Sequence, residues 1–231
     1  MTMQADGAIL TSRLETSPAY TEFVAGSFFR DLQNAPLSKE EVSVFLGQWW
    51  HPLHYFPTFL ARCVSVLPDI ASKSAITRIL NQETGNGRVN RAHEVIYQDS
   101  MELAGFERSA VAGSAPFSET AELVAGYQQA SAERCSALGF IYATEVTDLL
   151  MVSSIGTAVE RATGVAENKW VAIHVAQEPD HVAEAGHTML EGYTREQEDE
   201  IVRSADQMWQ LWTRFFQRIS VETGISRHVS N

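Results

Sequence analysis

The stretch WVAIHVAQEPDHVAEAGHTML, residues 170–190, contains His174, Glu178 and His181. On a helix, with about 100° between residues, Glu178 falls about 40° to one side of His174 and His181 about 20° to the other. The three side chains then share one narrow face over two turns. Two imidazoles and a carboxylate form a hard-to-borderline set of metal ligands. Trp170, Val171, Ala185 and Met189 lie near the same stripe, so the face looks into a core. A carboxylate buried between two histidines needs a counter-charge, because bare charge is costly to bury, and a metal ion supplies one. Taken alone, the triplet is equally a surface helix that carries polar residues by chance.

Two further stretches offer matching groups. In RILNQETGNGRVNRAHEVIYQD, residues 78–99, Glu83 lies on the stripe of Ile76, Ile79 and Leu80, while His93 shares a face with Val89, Ile96 and Tyr97. A regular helix would set the two about 80° apart. Gly85 and Gly87 stand between them and permit a distortion that brings them together. Taken singly, Glu83 reads as a carboxylate paired with a core arginine or tyrosine, and His93 as a satisfied core histidine. In FIYATEVTDLL, Glu145 shares its stripe with Leu138, Ile141, Tyr142, Leu149 and Val152, with Asp148 one turn on. A rim pairing of these acids is possible, but a metal-bound or proton-sharing role suits an inward glutamate better. Together the three stretches supply three carboxylates and three imidazoles. Facing helices of a bundle build dinuclear carboxylate sites from such residues. Oxygen-rich ligands with some imidazole favour iron or manganese over structural zinc, which prefers thiolates.

The elements that must position these groups read as helices. Ser17-Pro18 opens a helix that runs to about Asn34, and Pro36 stops it. Ser38 and Glu41 form a capping box for a second, aromatic helix, which Pro52 and Pro57 should kink or break. A third, interrupted at Gly85 and Gly87, spans about 70–103, and residues 104–116 form a loop by composition. Helices over about 118–130 and 132–160 follow, then the helix of the opening triplet, ending near Gly192. A last one opens at Thr194. No alternating β-branched run stands between turn signals, so no sheet is expected. The fold class is an all-α bundle of about seven helices: a frayed or lightly docked leader at 1–16, a helical domain at 17–222 and a polar tail at 223–231.

Composition narrows the partners. With 17 basic and 29 acidic residues, the net charge of −12 and the lack of a clustered basic patch argue against nucleic acid and an anionic membrane surface. The most apolar stretch, 45–67, is broken by polar residues and prolines, as in a core helix. Cys63 and Cys135 sit in no CxxC motif and read as buried free thiols. No signal-peptide pattern opens the chain, so the expected location is cytoplasmic.

With these residues in hand, the chain resembles the haem-oxygenase-like diiron oxidases and oxygenases, whose fold is shared by TenA-type thiaminases and the PQQ-synthesis oxidase. In that family a Glu and a later His lie on one core helix and a second Glu on a middle helix. A His-x3-Asp/Glu-x2-His motif lies on a third. Glu83…His93, Glu145 and His174-x3-Glu178-x2-His181 match in that order, over about residues 17–220 and including the aromatic run WWHPLHYFP. The resemblance implies that all six bind two irons, cycling between Fe(II) and Fe(III), with O2 as co-substrate. It further implies oxidation of a small amino-acid-, amine- or fatty-acid-type substrate, by N-oxygenation or oxidative C–C cleavage. The ten-residue Glu–His spacing leans toward the N-oxygenating members, and a substrate derived from an amino acid or amine is expected. Glu178 departs from the more frequent Asp, and Pro179 directly after it should make the turn irregular and pliable.

Tyr97, Tyr142 and Trp170 are candidates to line a substrate pocket, and Arg91 and Lys169 to pair with a substrate carboxylate. His51 and His54 read as core or pocket lining, and His187 as surface. Asp180 adjoins two ligands at an unfavourable helix angle. A small-molecule substrate, a homodimer and an external reductant complete the expectation. Two alternatives stand beside it: a TenA-like hydrolase of a thiamine-type compound, with Cys135 offered as nucleophile, and a ferritin-like iron-binding protein without a specific substrate.

Overall fold

The computed structural model describes the backbone of residues 3–189 and 192–225 and the side chains of residues 9–177, 179–189 and 192–225. Among the described residues the chain forms eleven α-helices, one short 3-10 turn and no strand. The helices are α1 (Met3–Glu15), α2 (Pro18–Val24), α3 (Ser27–Asn34), α4 (Lys39–Val66), α5 (Ile70–Glu83), α6 (His93–Leu103), α7 (Arg108–Ala112), α8 (Ser118–Ala130), α9 (Arg134–Thr163), α10 (Lys169–Thr188) and α11 (Arg195–Thr223).

Eleven replace the expected seven because two expected helices are each split in two, and the leader and the expected loop at 104–116 each form a helix. The helix opened by Ser17 and Pro18 ends at Val24, where Gly26 turns to an extended ψ of 145°, and restarts as α3. The long third helix becomes α5 and α6, and the loop at 104–116 holds the short α7. The leader is a docked helix rather than a frayed one. Leu10 and Leu14 of α1 are buried, and Arg13 bonds Glu198 at 3.0 Å and Asp199 at 2.5 Å on α11. In the other direction, Pro52 and Pro57 do not break α4, which runs through both. Each proline forfeits one backbone hydrogen bond, and the buried Leu53, Phe56, Phe59 and Leu60 around them hold the helix in place.

α9 is the central helix, packed by α10, α11, α4 and α3. It, not the 45–67 stretch, is the helix long and apolar enough to cross a membrane by composition, and 67% of its most apolar window is buried in the bundle. At Gly139 it approaches α11 so closely that a Cβ would lie 2.5 Å from the Ile201 carbonyl oxygen. α11 presents Trp209, Trp212, Phe215 and Phe216 to the core, and Trp212 stacks on Trp49 of α4 at 5.3 Å. α5, α6, α9 and α10 thus surround a buried space closed on one side by aromatic rings.

Candidate metal centre

Glu83 is the last residue of α5 and His93 the first of α6. Between them the chain reverses through three left-handed residues, Gly85 (φ +76°), Asn86 (φ +53°) and Gly87 (φ +77°), and the 3-10 turn Val89–Arg91. At Gly85 a Cβ would stand 2.4 Å from the Arg88 carbonyl oxygen and 2.5 Å from the Ala92 nitrogen, so only glycine fits. The reversal brings His93 Nδ1 to 3.0 Å from Glu83 Oε2, which ten residues of regular helix would not have done.

Glu145, midway along α9, places Oε2 at 3.3 Å from His181 Nδ1 on α10. His174, two turns before His181, packs its ring 4.6 Å from that of His93. One ligand atom each of Glu83, His93 and His174 lies within 4.8 Å of the others. Glu83, His93, Glu145, His174 and His181 are all at most 4% exposed. The structure therefore gathers five of the six ligand candidates, and the side chain of the sixth, Glu178, lies outside the described residues. Pro179, expected to make its turn irregular, sits inside an α10 that runs without a break from Lys169 to Thr188.

The electrostatics are those of a charged cluster held away from water. Burial alone would raise the Glu83 carboxyl, but His93, with His174 and His181, outweighs it and holds the pKa at about 2. Burial opposes protonation of His181, yet the hydrogen bond and charge of Glu145 lift it to about 9. Burial likewise opposes a charge on His93, and Glu83 overcomes it in the upward direction. Burial pushes Glu145 up despite His181, with Asp148 and Glu83 adding to it, and pushes His174 down.

Among the ligand candidates two buried atoms are left unserved, besides the indole nitrogens of Trp49, Trp170 and Trp212 in the cavity wall. Glu145 Oε1 has no hydrogen-bond partner among the described residues, and His93 Nδ1, close as it is to Glu83, has no aligned one. An unpaired carboxylate oxygen and an imidazole nitrogen facing a carboxylate both ask for a cation. Their oxygen and imidazole donors, without thiolate, suit iron. The cluster opens on a cavity of ≈ 30 Å³, walled by Trp49, Leu53, Phe56, Tyr127, Trp170 and Trp212. That is room for one or two water-sized groups.

The remaining candidates divide. Trp170 lines the cavity and packs on His174 at 4.6 Å. Tyr97 does not line it; buried behind Trp170, it donates to the Leu46 carbonyl at 2.7 Å. Tyr142 donates to Glu15 instead. Arg91 is exposed in the 3-10 turn, and Lys169 borders a surface groove beside Glu167. Among the described residues, no lysine or arginine lines the cavity. His51 bonds the Ser114 carbonyl, and the exposed His54 pairs with Glu94 at 2.7 Å, so neither reaches the cluster. His187 and Asp180 are exposed. Of the thiols, Cys63 is buried and Cys135 only half-buried, a correction to the reading of both as buried. Two kinds of residue escaped sequence reasoning. Asp148 lines the cavity, one turn beyond Glu145 and on its face, a spacing that marked it only as a rim partner. Gln82 and Gln177 reach the ring nitrogens of His181 and His93, and only their place directly before Glu83 and Glu178 could have flagged them.

Comparison with known proteins agrees with this geometry. A family model described as iron-containing redox enzyme matches residues 43–213, and the chain belongs to that family. Its fold is that of the haem-oxygenase-like proteins. A CADD-like protein of unknown function from Nostoc punctiforme superimposes with a TM-score of 0.78 at 16% identity, covering 95% of this chain and 99% of that one. A domain of unknown function with a haem-oxygenase-like fold from Shewanella denitrificans gives 0.71 at 19% identity, covering 97% and 92%. A TenA homologue from Pseudomonas syringae gives 0.69 at 14%, covering 92% and 91%. Comparison with curated proteins returned no match.

Proposed function

We propose that the chain is a non-haem diiron, O2-dependent oxidase or oxygenase acting on a small amine- or amino-acid-derived substrate. The observation that carries this reading is the buried ring of Glu83, His93, Glu145, His174 and His181, with Glu145 Oε1 unpaired. Glu83, His93 and His174 would hold one iron; Glu145 and His181, with Glu178 by its place between His174 and His181, the other. Iron there supplies one-electron redox chemistry and the reduction of O2. The rest falls to the chain's own side chains. The indoles of Trp49, Trp170 and Trp212 keep bulk water from the cavity. Tyr127 and Thr144, joined at 2.9 Å, fix one wall. Asp148, half-buried at the cavity, holds or passes a proton at its carboxylate.

The lining also bears on the substrate. With carboxylates and aromatic faces but no lysine or arginine, the cavity suits an amine end better than a carboxylate, since rings and acids both attract a cation. Arg91 and Lys169, offered for a carboxylate, stand elsewhere. An external reductant belongs to the same reading. A TenA-like hydrolase would need an activated thiol. Burial pushes the Cys135 and Cys63 thiols up, and neither lines the cavity. The test is O2 consumption by iron-loaded protein offered small amines and the matching carboxylates, with a reductant. Amine-dependent uptake, lost in Glu145→Ala and His174→Ala, is expected. Iron uptake without substrate-dependent turnover would favour an iron-binding protein instead.

A further inference from the structure

Two Gln-Glu dipeptides, Gln82-Glu83 and Gln177-Glu178, sit on α5 and α10. Each glutamine crosses to a histidine of another helix. Gln82 Oε1 lies 2.6 Å from His181 Nε2, and Gln177 Oε1 lies 3.1 Å from His93 Nε2. We propose that Gln82 and Gln177 are positioning residues that set the tautomers of His181 and His93, so that each ring offers Nδ1 to the metal. The inference rests on the diiron reading and names residues it does not contain.

Donors and acceptors fix the ring tautomers. An amide oxygen only accepts, so each ring must donate from Nε2. A ring that keeps its proton on Nε2 presents a lone pair at Nδ1. Those Nδ1 atoms stand 3.0 Å from Glu83 and 3.3 Å from Glu145, the carboxylates assigned to the two irons. His174 is held differently. Its Nδ1 donates to the Trp170 carbonyl at 2.8 Å, which leaves Nε2 as the ligand atom and asks nothing of a side chain. The two rings whose Nδ1 faces a carboxylate, His93 and His181, are the two that a glutamine holds. The ties also cross helices: α5 grips α6 through Glu83 and α10 through Gln82, and α10 grips α6 through Gln177. Partners of this kind orient metal-bound imidazoles, and their loss typically weakens metal binding by about 10–100-fold.

The full chain, loaded anaerobically with Co(II), tests this through its visible absorption and by competition with a chromogenic chelator. Gln82→Leu and Gln177→Leu should each weaken Co(II) binding by about 10–100-fold and alter the visible band. Gln82→Glu and Gln177→Glu keep an acceptor and should stay within a few-fold of wild type. The tautomers are read without any variant from long-range 1H–15N spectra of the Zn(II)-loaded wild type. Metal on Nδ1 of His93 and His181, and on Nε2 of His174, is expected. Leucine variants that bind like wild type, or metal on Nε2 of His93 and His181, would overturn the proposal. Wild type that binds neither ion would instead sink the diiron reading beneath it.

Discussion

His181 carries a strongly raised imidazole, and its shift has a consequence for stability. Its folded pKa of about 9 stands above the ordinary 6.5. A raised histidine stabilises the fold fully below its unfolded value, and that contribution is lost as pH rises through the folded one. His93 is raised too, and Glu145, a raised carboxyl, also loses stability as pH rises. The two histidines therefore act in one direction above pH 6.5, while Glu145 begins to lose its contribution already above its ordinary 4.5. The metal-free protein should show a falling Tm between pH 6.5 and 9.5, and His181→Gln should flatten that slope. An unchanged Tm across the window in wild type would contradict the pairing. Asp148 makes a separate prediction: Asp148→Asn should keep the bound metal while lowering turnover roughly 10²- to 10⁴-fold, the range in which positioned proton-transfer groups act. Iron analysis and rate, taken together, decide it. At this scale the residue types were legible in the chain, because inward carboxylates and histidines on apolar stripes are rare without a partner. Their partners were not, since Gln82 and Gln177 meet their histidines 99 and 84 residues away along the chain.

At the scale of elements, the decisive device is the turn between α5 and α6. Periodicity placed Glu83 and His93 on core stripes and the glycines between them marked a distortion, so their meeting was foreseeable. What sequence pattern did not reveal was the form: two helices separated by three left-handed residues and a 3-10 turn, rather than one bent helix. Alternative conformations of a Gly-Asn-Gly run differ by too little energy for local rules to choose between them. Gly85→Ala should cost about 1–3 kcal/mol, because a side chain there is both strained and without space. It should also weaken metal binding by separating Glu83 from His93. Denaturant melts with metal titration check both, and an alanine variant with wild-type stability and affinity would refute the role of the turn. α4 teaches the converse. Pro52 and Pro57 are strong local signals, expected to kink or break the helix, and with tertiary burial on either side of them the helix runs on unbroken.

For the whole molecule, the all-α class was readable from long apolar periodicities, and the haem-oxygenase-like arrangement from the resemblance carried by the Glu and His motifs. The helix count was not, because breaks such as that at Gly26 are local events within one periodic pattern. The assembled bundle places four helices around one enclosed, ring-walled cluster, and membership of the iron-containing redox enzyme family agrees with the chemistry of that cluster. The most direct measurement counts metal. Protein reconstituted anaerobically with Fe(II), desalted and assayed for iron, should hold two irons per chain, fewer in Glu145→Ala and His174→Ala, and should change its absorbance on exposure to O2. No more than a trace of iron in the wild type, with activity unaffected in those two variants, would contradict the account.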